Sequence, residues 1–361
     1  MNNLVCISDC HLGYRHRFKT QRLRHYLNAF NDAVAKALKC EPDVILFAGD
    51  LVHHARPDPV TMRRIIKTLV QLAEKTQVVL CIGNHEIEGH LSTTYTPIYT
   101  DLHKNIHVLT SENPMVNIKL IGREVNFYGF EYTRNSRIAE KKLLELSRTI
   151  KSGFNILCLH QAVEKYLSPH EISIKALREV SGKYNLILLG HVHKPQPIKE
   201  VFDITPAYYV GSTERISFNE AENQNGILLF RNLDPAKPEF IKVNSASMKA
   251  VKENLGKKTP EEINQWIEKI IGENLNFDLL QIDLNASIDG DFLNIRHDWA
   301  EQYPKFTILD VNINPLSEEN AFKMEKITAS EETIREYFQK TGLKNPELEE
   351  TCVELYQKYG N

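Results

Sequence analysis

Five apolar runs set the frame of the chain: residues 3–8 (NLVCIS), 43–49 (DVILFAG), 77–83 (QVVLCIG), 154–160 (FNILCLH) and 185–191 (NLILLGH). Each is short, rich in branched aliphatic residues and free of polar alternation, which predicts strands covered on both faces. Between the first three, residues 21–39 and 58–75 repeat apolar positions at helical spacing, so this part reads as α/β with parallel strands in its core. Further strands at 106–110, 116–121, 125–130, 207–211 and 226–231 follow without long helices and predict a second, more antiparallel sheet. After a polar, Lys-rich stretch at 249–258 the pattern becomes helix 260–271, strand 278–285, helix 290–302 and strand 306–313, a small separate α/β unit. Two short helices close the chain. The first, 330–342, has Ser330 as N-cap; the second, 345–360, has Asn345 as N-cap, Pro346 at its first position and a terminal Gly360. The expected domains are therefore 1–245, 246–328 and 329–361.

Composition narrows the class. A chain of 361 residues that is 42% hydrophobic can fill a sizeable core. No apolar run approaches the ~18 residues that cross a bilayer, and the opening MNNLVCISD lacks a basic stretch leading into an apolar one, so a cytoplasmic chain is expected. The six cysteines stand singly, with no CxxC pair and several inside strand-like runs, which predicts reduced, mostly buried thiols. The net charge of -3 conceals an asymmetry: residues 1–243 hold 31 Lys and Arg against 25 Asp and Glu, and the remainder 13 against 22. An anionic partner for the front portion fits that distribution.

The chemistry collects where the strands stop. The first run ends SDCHLG, placing Asp9 and His11 just beyond it; the second ends GDLVHH, with Asp50 and His53; the third leads into GNHEIEGH, with Asn84 and His85. The fourth ends on His160, and the fifth offers His191 and His193. Ligands of open α/β sheets bind at the carboxyl ends of strands, so these groups are expected to converge. Two divalent ions about 3.5–4 Å apart need a bridging carboxylate, with neutral imidazoles and a carboxamide completing the shells without excess negative charge. Asp50 is the natural bridge. Asp9, His11 and His193 would complete one site, and Asn84, His160 and His191 the other. The one-residue gap of HVH lets both imidazoles face the same way in extended backbone.

This ordered set resembles the calcineurin-like metallophosphoesterase superfamily, and SDCHLGYR, GDLVHHARPDPVT, LHQ, GHVHKP and YVGSTERISFNEAENQNG (209–226) are similar to the nuclease subunit of the prokaryotic double-strand-break repair complex, the SbcD or meiotic-recombination-eleven type. The resemblance is strong over residues 1–243 and holds in outline beyond. It implies an αββα sandwich with a smaller α/β capping domain, over 246–328, that helps to orient DNA, followed by the C-terminal helix pair. It also implies a metal-dependent phosphodiesterase with two Mn ions: Asp9, His11, Asp50 and His193 on the first, Asp50, Asn84, His160 and His191 on the second. A metal-bound hydroxide would attack a DNA phosphodiester in line. His85 would orient the phosphate and supply a proton, and His53 would assist, although His53 and His54 also read as a helix-start cap. Glu86, where the family often has Asp, would hold a ligand in place. The implied function is a double-strand exonuclease and single-strand endonuclease in break repair, nucleoid-associated in the cytoplasm. The rivals are a small-molecule or cyclic-nucleotide phosphodiesterase of the same superfamily, and a structural, DNA-tethering subunit.

Surfaces extend the expectation. Arg15, Arg17, Lys19 and Arg22 follow the first ligands and suit a phosphodiester backbone, which is bound mainly through its phosphates. Helix 58–75 carries Met62, Ile66 and Leu69 within a broad apolar face, and residues 90–103 carry Leu91, Tyr95 and Ile98. In the similar nucleases these two helices pair across a two-fold axis, so a homodimer is expected. The terminal helices, with Ile334, Tyr337, Phe338, Leu348, Val353, Leu355, Tyr356 and Tyr359, correspond to the pair that clasps an SMC-like ATPase of the SbcC or Rad-fifty type; packing on the second domain would leave the same pattern.

Overall fold

The apolar runs form two six-stranded sheets laid face to face. A computed structural model describes residues 2–16, 20–88, 94–95, 98–168, 171–316, 335 and 349–353. In chain order the elements are β1 (Leu4–Ile7), α1 (Thr20–Lys39), β2 (Val44–Ala48), α2 (Pro59–Ala73), β3 (Gln77–Cys81), α3 (Ile98–Leu102), β4 (Ile106–Val108), β5 (Met115–Leu120), β6 (Arg123–Tyr128), α4 (Ser136–Leu146), β7 (Phe154–His160), α5 (Ile174–Ser181), β8 (Leu186–Gly190), β9 (Gln196–Pro197), β10 (Ala207–Tyr209), β11 (Gly226–Phe230) and β12 (Glu239–Lys242). There follow β13 (Met248–Lys258), α6 (Pro260–Glu273), β14 (Leu279–Ile288), α7 (Trp299–Gln302) and β15 (Ile308–Pro315). The first sheet runs β12-β11-β1-β2-β3-β4 and the second β5-β6-β7-β8-β10-β9.

Alternation along each strand builds the layers. Val5 and Ile7 turn outward to Phe30 and Ala33 of α1 and to Ile65 and Leu69 of α2. Leu4 and Cys6 turn inward to meet Phe127, Ile156 and Leu188 of the second sheet. That sheet's other face is covered by Leu143 of α4 and Leu177 of α5. The result is the expected αββα sandwich. Cys6, Cys10, Cys81 and Cys158 are buried and all six cysteines are free thiols, as their single spacing predicts.

Three features depart from the sequence reading. The fourth and fifth apolar runs, β7 and β8, lie in the second sheet, whose central strands β6-β7-β8-β10 are parallel; only its edges β5 and β9 pair antiparallel. Both sheets share one apolar layer, so their strands carry the same pattern. The stretch 290–302 is not one helix: a single turn at Phe292–Asn294, capped by Asp291 through Leu293 N, is separated from α7 by extended Ile295. The Lys-rich stretch 249–258 is strand β13, at an edge of the three-stranded sheet β13-β14-β15, where lysines discourage pairing with another chain.

One compact unit gathers Met1–Lys252, Gln265–Asp283 and Arg296–Asn312; the other holds the described residues of Glu253–Asn264, Leu284–Ile295 and Ile313–Asn361. Of the terminal helix pair only Arg335 and the helical residues 349–353 fall within the described chain. Within α2, Met62 and Leu69 are buried against their own sheet and Ile66 packs on the same core, so Met62 and Leu69 are not available to a second copy. Tyr95 and Ile98 are exposed at 39% and 40%, and Leu91 lies outside the described residues.

Arg22 is likewise not part of a DNA-facing surface. It is fully buried, on the stripe of α1 that also buries Tyr26, Ala29, Phe30 and Ala33. Its guanidinium lies 3.8 Å from Glu214 Oε1 and donates to the Arg215 carbonyl and the Tyr26 hydroxyl. Of the basic run, Arg15 is half exposed beside Asp58, whereas Arg17 and Lys19 lie outside the described residues. Removing one member of a buried ion pair costs ~3–5 kcal/mol because the other charge is stranded. Arg22→Ala should therefore lose about that much stability in chemical denaturation.

A candidate metal centre at the strand ends

The loops that follow β1 and β2 stay zipped beyond their strands. Asp9 N donates to Gly49 O at 3.0 Å, His11 N to Asp50 O at 2.9 Å, Leu12 N to Leu51 O at 3.0 Å and His53 N to Leu12 O at 3.0 Å. Buried amides must be paired, and this ladder pairs them while the chain turns sharply. The turning falls on the polar residues themselves: Asp9, His11, Asp50 and His191 have φ of 50°, 44°, 49° and 82°, a region that side chains other than glycine rarely occupy. Glycine is required beside them. A Cβ on Gly83 would stand 2.0 Å from Asp50 Oδ1, and one on Gly190 would stand 2.1 Å from the Ala48 carbonyl.

The structure brings all seven expected ligands together. Asp9, His11 and His193 place donor atoms within 4.8 Å of one another, as do Asp50, His160 and His191. Asp50 reaches both groups: its Oδ2 is 3.7 Å from His11 Nε2 and 3.2 Å from His160 Nε2. Asn84 Oδ1 lies 3.2 Å from the same His160 nitrogen. His11 Nε2 and His193 Nε2 approach to 3.1 Å, with Asp9 Oδ1 at 3.5 Å from the latter. Two imidazole nitrogens this close need a shared proton or a cation between them. The donors are all oxygen or nitrogen, the set that suits divalent first-row ions, so these residues fit the group implied for them.

Charge is arranged to the same end. Burial pushes the Asp9 carboxyl above its usual range. Burial opposes ionisation of Asp50 too, yet His160 and His11 hold its carboxyl well below the usual value. Burial disfavours a charged His160, but Asp50 and Asp9 outweigh it and raise that imidazole to about 10. His11 is pushed down by burial, and partial burial with His160 beside it lowers His191 to about 3.

Around this set stand the groups that orient it. His160 Nδ1 donates to the Ala48 carbonyl at 2.9 Å, which leaves Nε2 for the centre. Glu86 is buried and accepts from the amides of Asp50, Leu51 and Gly83, at 3.1, 3.2 and 2.8 Å, holding the turn that presents Asp50. Burial and the Asp50 charge raise its carboxyl to about 7. His85 Nδ1 donates to the His53 carbonyl at 2.8 Å, its Nε2 lies 4.0 Å from Asp50 Oδ2, and it is one-third exposed. His53 stacks on His85 at 4.5 Å, contacts His11 Nδ1 at 3.3 Å and is lowered to about 4, chiefly by burial and then by His85. The cap of α2 is Asp58, so His53 and His54 do not serve as one. Sequence reasoning overlooked Glu220, which bonds His193 Nδ1 at 3.1 Å, and Tyr132, whose ring lies 5.4 Å from that of His191. Glu220 stands inside the quoted stretch 209–226, which is the one signal that pointed to it.

The calcineurin-like phosphoesterase family matches residues 3–195. Among curated proteins, the DNA double-strand break repair protein Mre11 of Methanocaldococcus jannaschii is 27% identical over 330 residues, covering 81% of this chain and 87% of that protein. Its namesake from Methanopyrus kandleri is 24% identical over 280 residues, 73% of this chain and 62% of that protein. The one from Methanococcus maripaludis is 24% identical over 374 residues, 98% and 94% respectively.

A histidine raised to about 10 is protonated at neutral pH and must give up that proton to bind a cation. Divalent-metal affinity should therefore rise with pH across the neutral range and fall in acid. Calorimetry in two buffers of different ionisation enthalpy should register net proton release on binding at pH 7.

Proposed function

The chain belongs to the calcineurin-like phosphoesterase family, and from that premise we propose that it is a Mn-dependent DNA nuclease of double-strand-break repair. The observation that carries the reading is Asp50, placed between two groups of N and O donors at the ends of five strands. The relatives named for break repair support the substrate class. Asp9, His11, Asp50 and His193 would hold one ion, and Asp50, Asn84, His160 and His191 the other. When bound, such a pair activates water at neutral pH and stabilises the attacking and leaving oxygens of an in-line displacement.

The protein's own part is orientation and proton transfer. His85 keeps Nδ1 on the His53 carbonyl, so Nε2 is directed at the cleft and can pass a proton to the leaving oxygen. His53, held neutral and stacked on it, fixes that ring and backs His11. Arg15, with Arg17 and Lys19 beyond it, would meet the phosphodiester backbone. We take residues 246–328 as a capping domain that orients DNA and 329–361 as the segment that binds an SMC-like ATPase. Homodimerisation would use Ile66, Tyr95 and Ile98, with Leu91 alongside. No described helix is long and apolar enough to cross a membrane. A nucleoid-associated place in the cytoplasm belongs to the same proposal.

The test is hydrolysis of end-labelled duplex DNA and of an aryl phosphodiester at equal phosphate concentration, with Mn and with chelator. Chelator-sensitive degradation of DNA with little action on the small ester is expected. The reverse preference would assign the site to small diesters, and no hydrolysis of either would leave a tethering subunit. His85→Ala should keep metal and DNA binding while losing ~10²–10⁴-fold in cleavage rate, whereas Asp50→Ala should lose the metals.

A further inference from the structure

His193 differs from the other imidazoles of the site in what stands behind it. Its Nε2 faces His11 and Asp9, while its Nδ1 meets Glu220 Oε1 at 3.1 Å. Both groups are largely buried, with 15% and 19% of the side chains exposed. The second oxygen of Glu220 is also engaged, accepting from Ile216 N at 2.9 Å. Glu220 closes the single helical turn Phe218–Glu220, and its carbonyl accepts from Arg215 Nε at 3.2 Å. Arg215 spreads its remaining donors over Asn223 O at 2.6 Å, Ser245 Oγ at 3.0 Å and Ala246 O at 3.1 Å. The turn thus hangs from the segment that leads directly into β13. Beside Glu220, Phe218 and Ala221 pack on Ala246 and on Met248, Leu279 and Ile308, the first residues of β13, β14 and β15.

We infer that Glu220 is the positioning residue of His193, and that through Phe218 it makes this ligand depend on the packing of the three-stranded sheet. A carboxylate on the far nitrogen fixes ring orientation and tautomer and strengthens the imidazole as a ligand. Any rearrangement that lifts Met248, Leu279 and Ile308 away from Phe218 shifts the turn, and the turn carries the carboxylate. The sheet therefore has a lever on one half of the centre and none on His160, which is anchored instead to the Ala48 carbonyl of β2.

The inference rests on the metal-centre reading and is tested with the full chain and Mn2+ alone, by calorimetry and by the spin-resonance signal of bound ion, with thermal unfolding as the check on folding. The wild-type chain should bind two ions. Glu220→Ala should weaken one of them ~10–100-fold and leave the other unchanged. Glu220→Gln should lose less, because its carboxamide oxygen still accepts from Nδ1, and it carries the test if the alanine variant does not fold. Phe218→Ala should weaken the same ion although it removes no atom that touches His193. Unchanged affinity in a folded Glu220→Ala protein, or equal loss of both ions, would overturn the positioning role. An inert Phe218→Ala would overturn the link to the sheet. Absence of Mn2+ binding in the wild-type chain would instead remove the metal-centre reading beneath both.

Discussion

One hydrogen bond between the sheets sets the level at which everything else is built. His160, the last residue of β7, donates from Nδ1 to the carbonyl of Ala48, the last residue of β2. Apolar packing between two sheets is nondirectional and fixes neither their stagger nor the height at which strands end. This bond does, and the missing side chains of Gly49 and Gly190 make room for it: a Cβ on either would stand within 2.7 Å of the His160 ring. With the strand ends level, Asp9 and Asp50 from one sheet can face His160, His191 and His193 from the other.

Carboxylates then do two kinds of work, bracing backbone turns and facing imidazoles. Glu86 and Glu214 take backbone amides, three for the first and two for the second: Glu86 ties the turn after β2 to the one after β3, and Glu214 ties the turn after β10 to the segment before β13. Asp9 and Asp50 face imidazoles and shape the charge of the cleft, and each also accepts a backbone amide, from His191 N and His85 N respectively. Glu220 likewise has one oxygen on an amide and one on a ring. That dual contact is why the backbone around it can influence chemistry several residues away.

The strand ends were legible because an Asp or His directly after an apolar run has no structural reason to recur five times in order. Sheet membership was not legible: β7 and β8 lie between two apolar layers just as β1–β3 do, so nothing in their pattern says which neighbours they pair with. Arg22 was misread although its place was available, four residues before Tyr26 and seven before Ala29 on one helical stripe. The surrounding basic residues drew attention to its charge instead of its register. Glu220 contacts a residue 27 positions away, a relation no local periodicity contains.

The position of β1 has a consequence for synthesis. This first strand is flanked by β2 on one side and by β11 on the other, with Leu4 opposite Phe230. His193 is in turn held by Ser212 N, whose own carbonyl receives Gly226 N at the start of β11. A growing chain therefore carries Asp9, His11 and Asp50 out of the ribosome long before the strand that completes their sheet exists. The centre cannot be finished until β11 has emerged, so a product that stops before Gly226 is left without the strand that completes it.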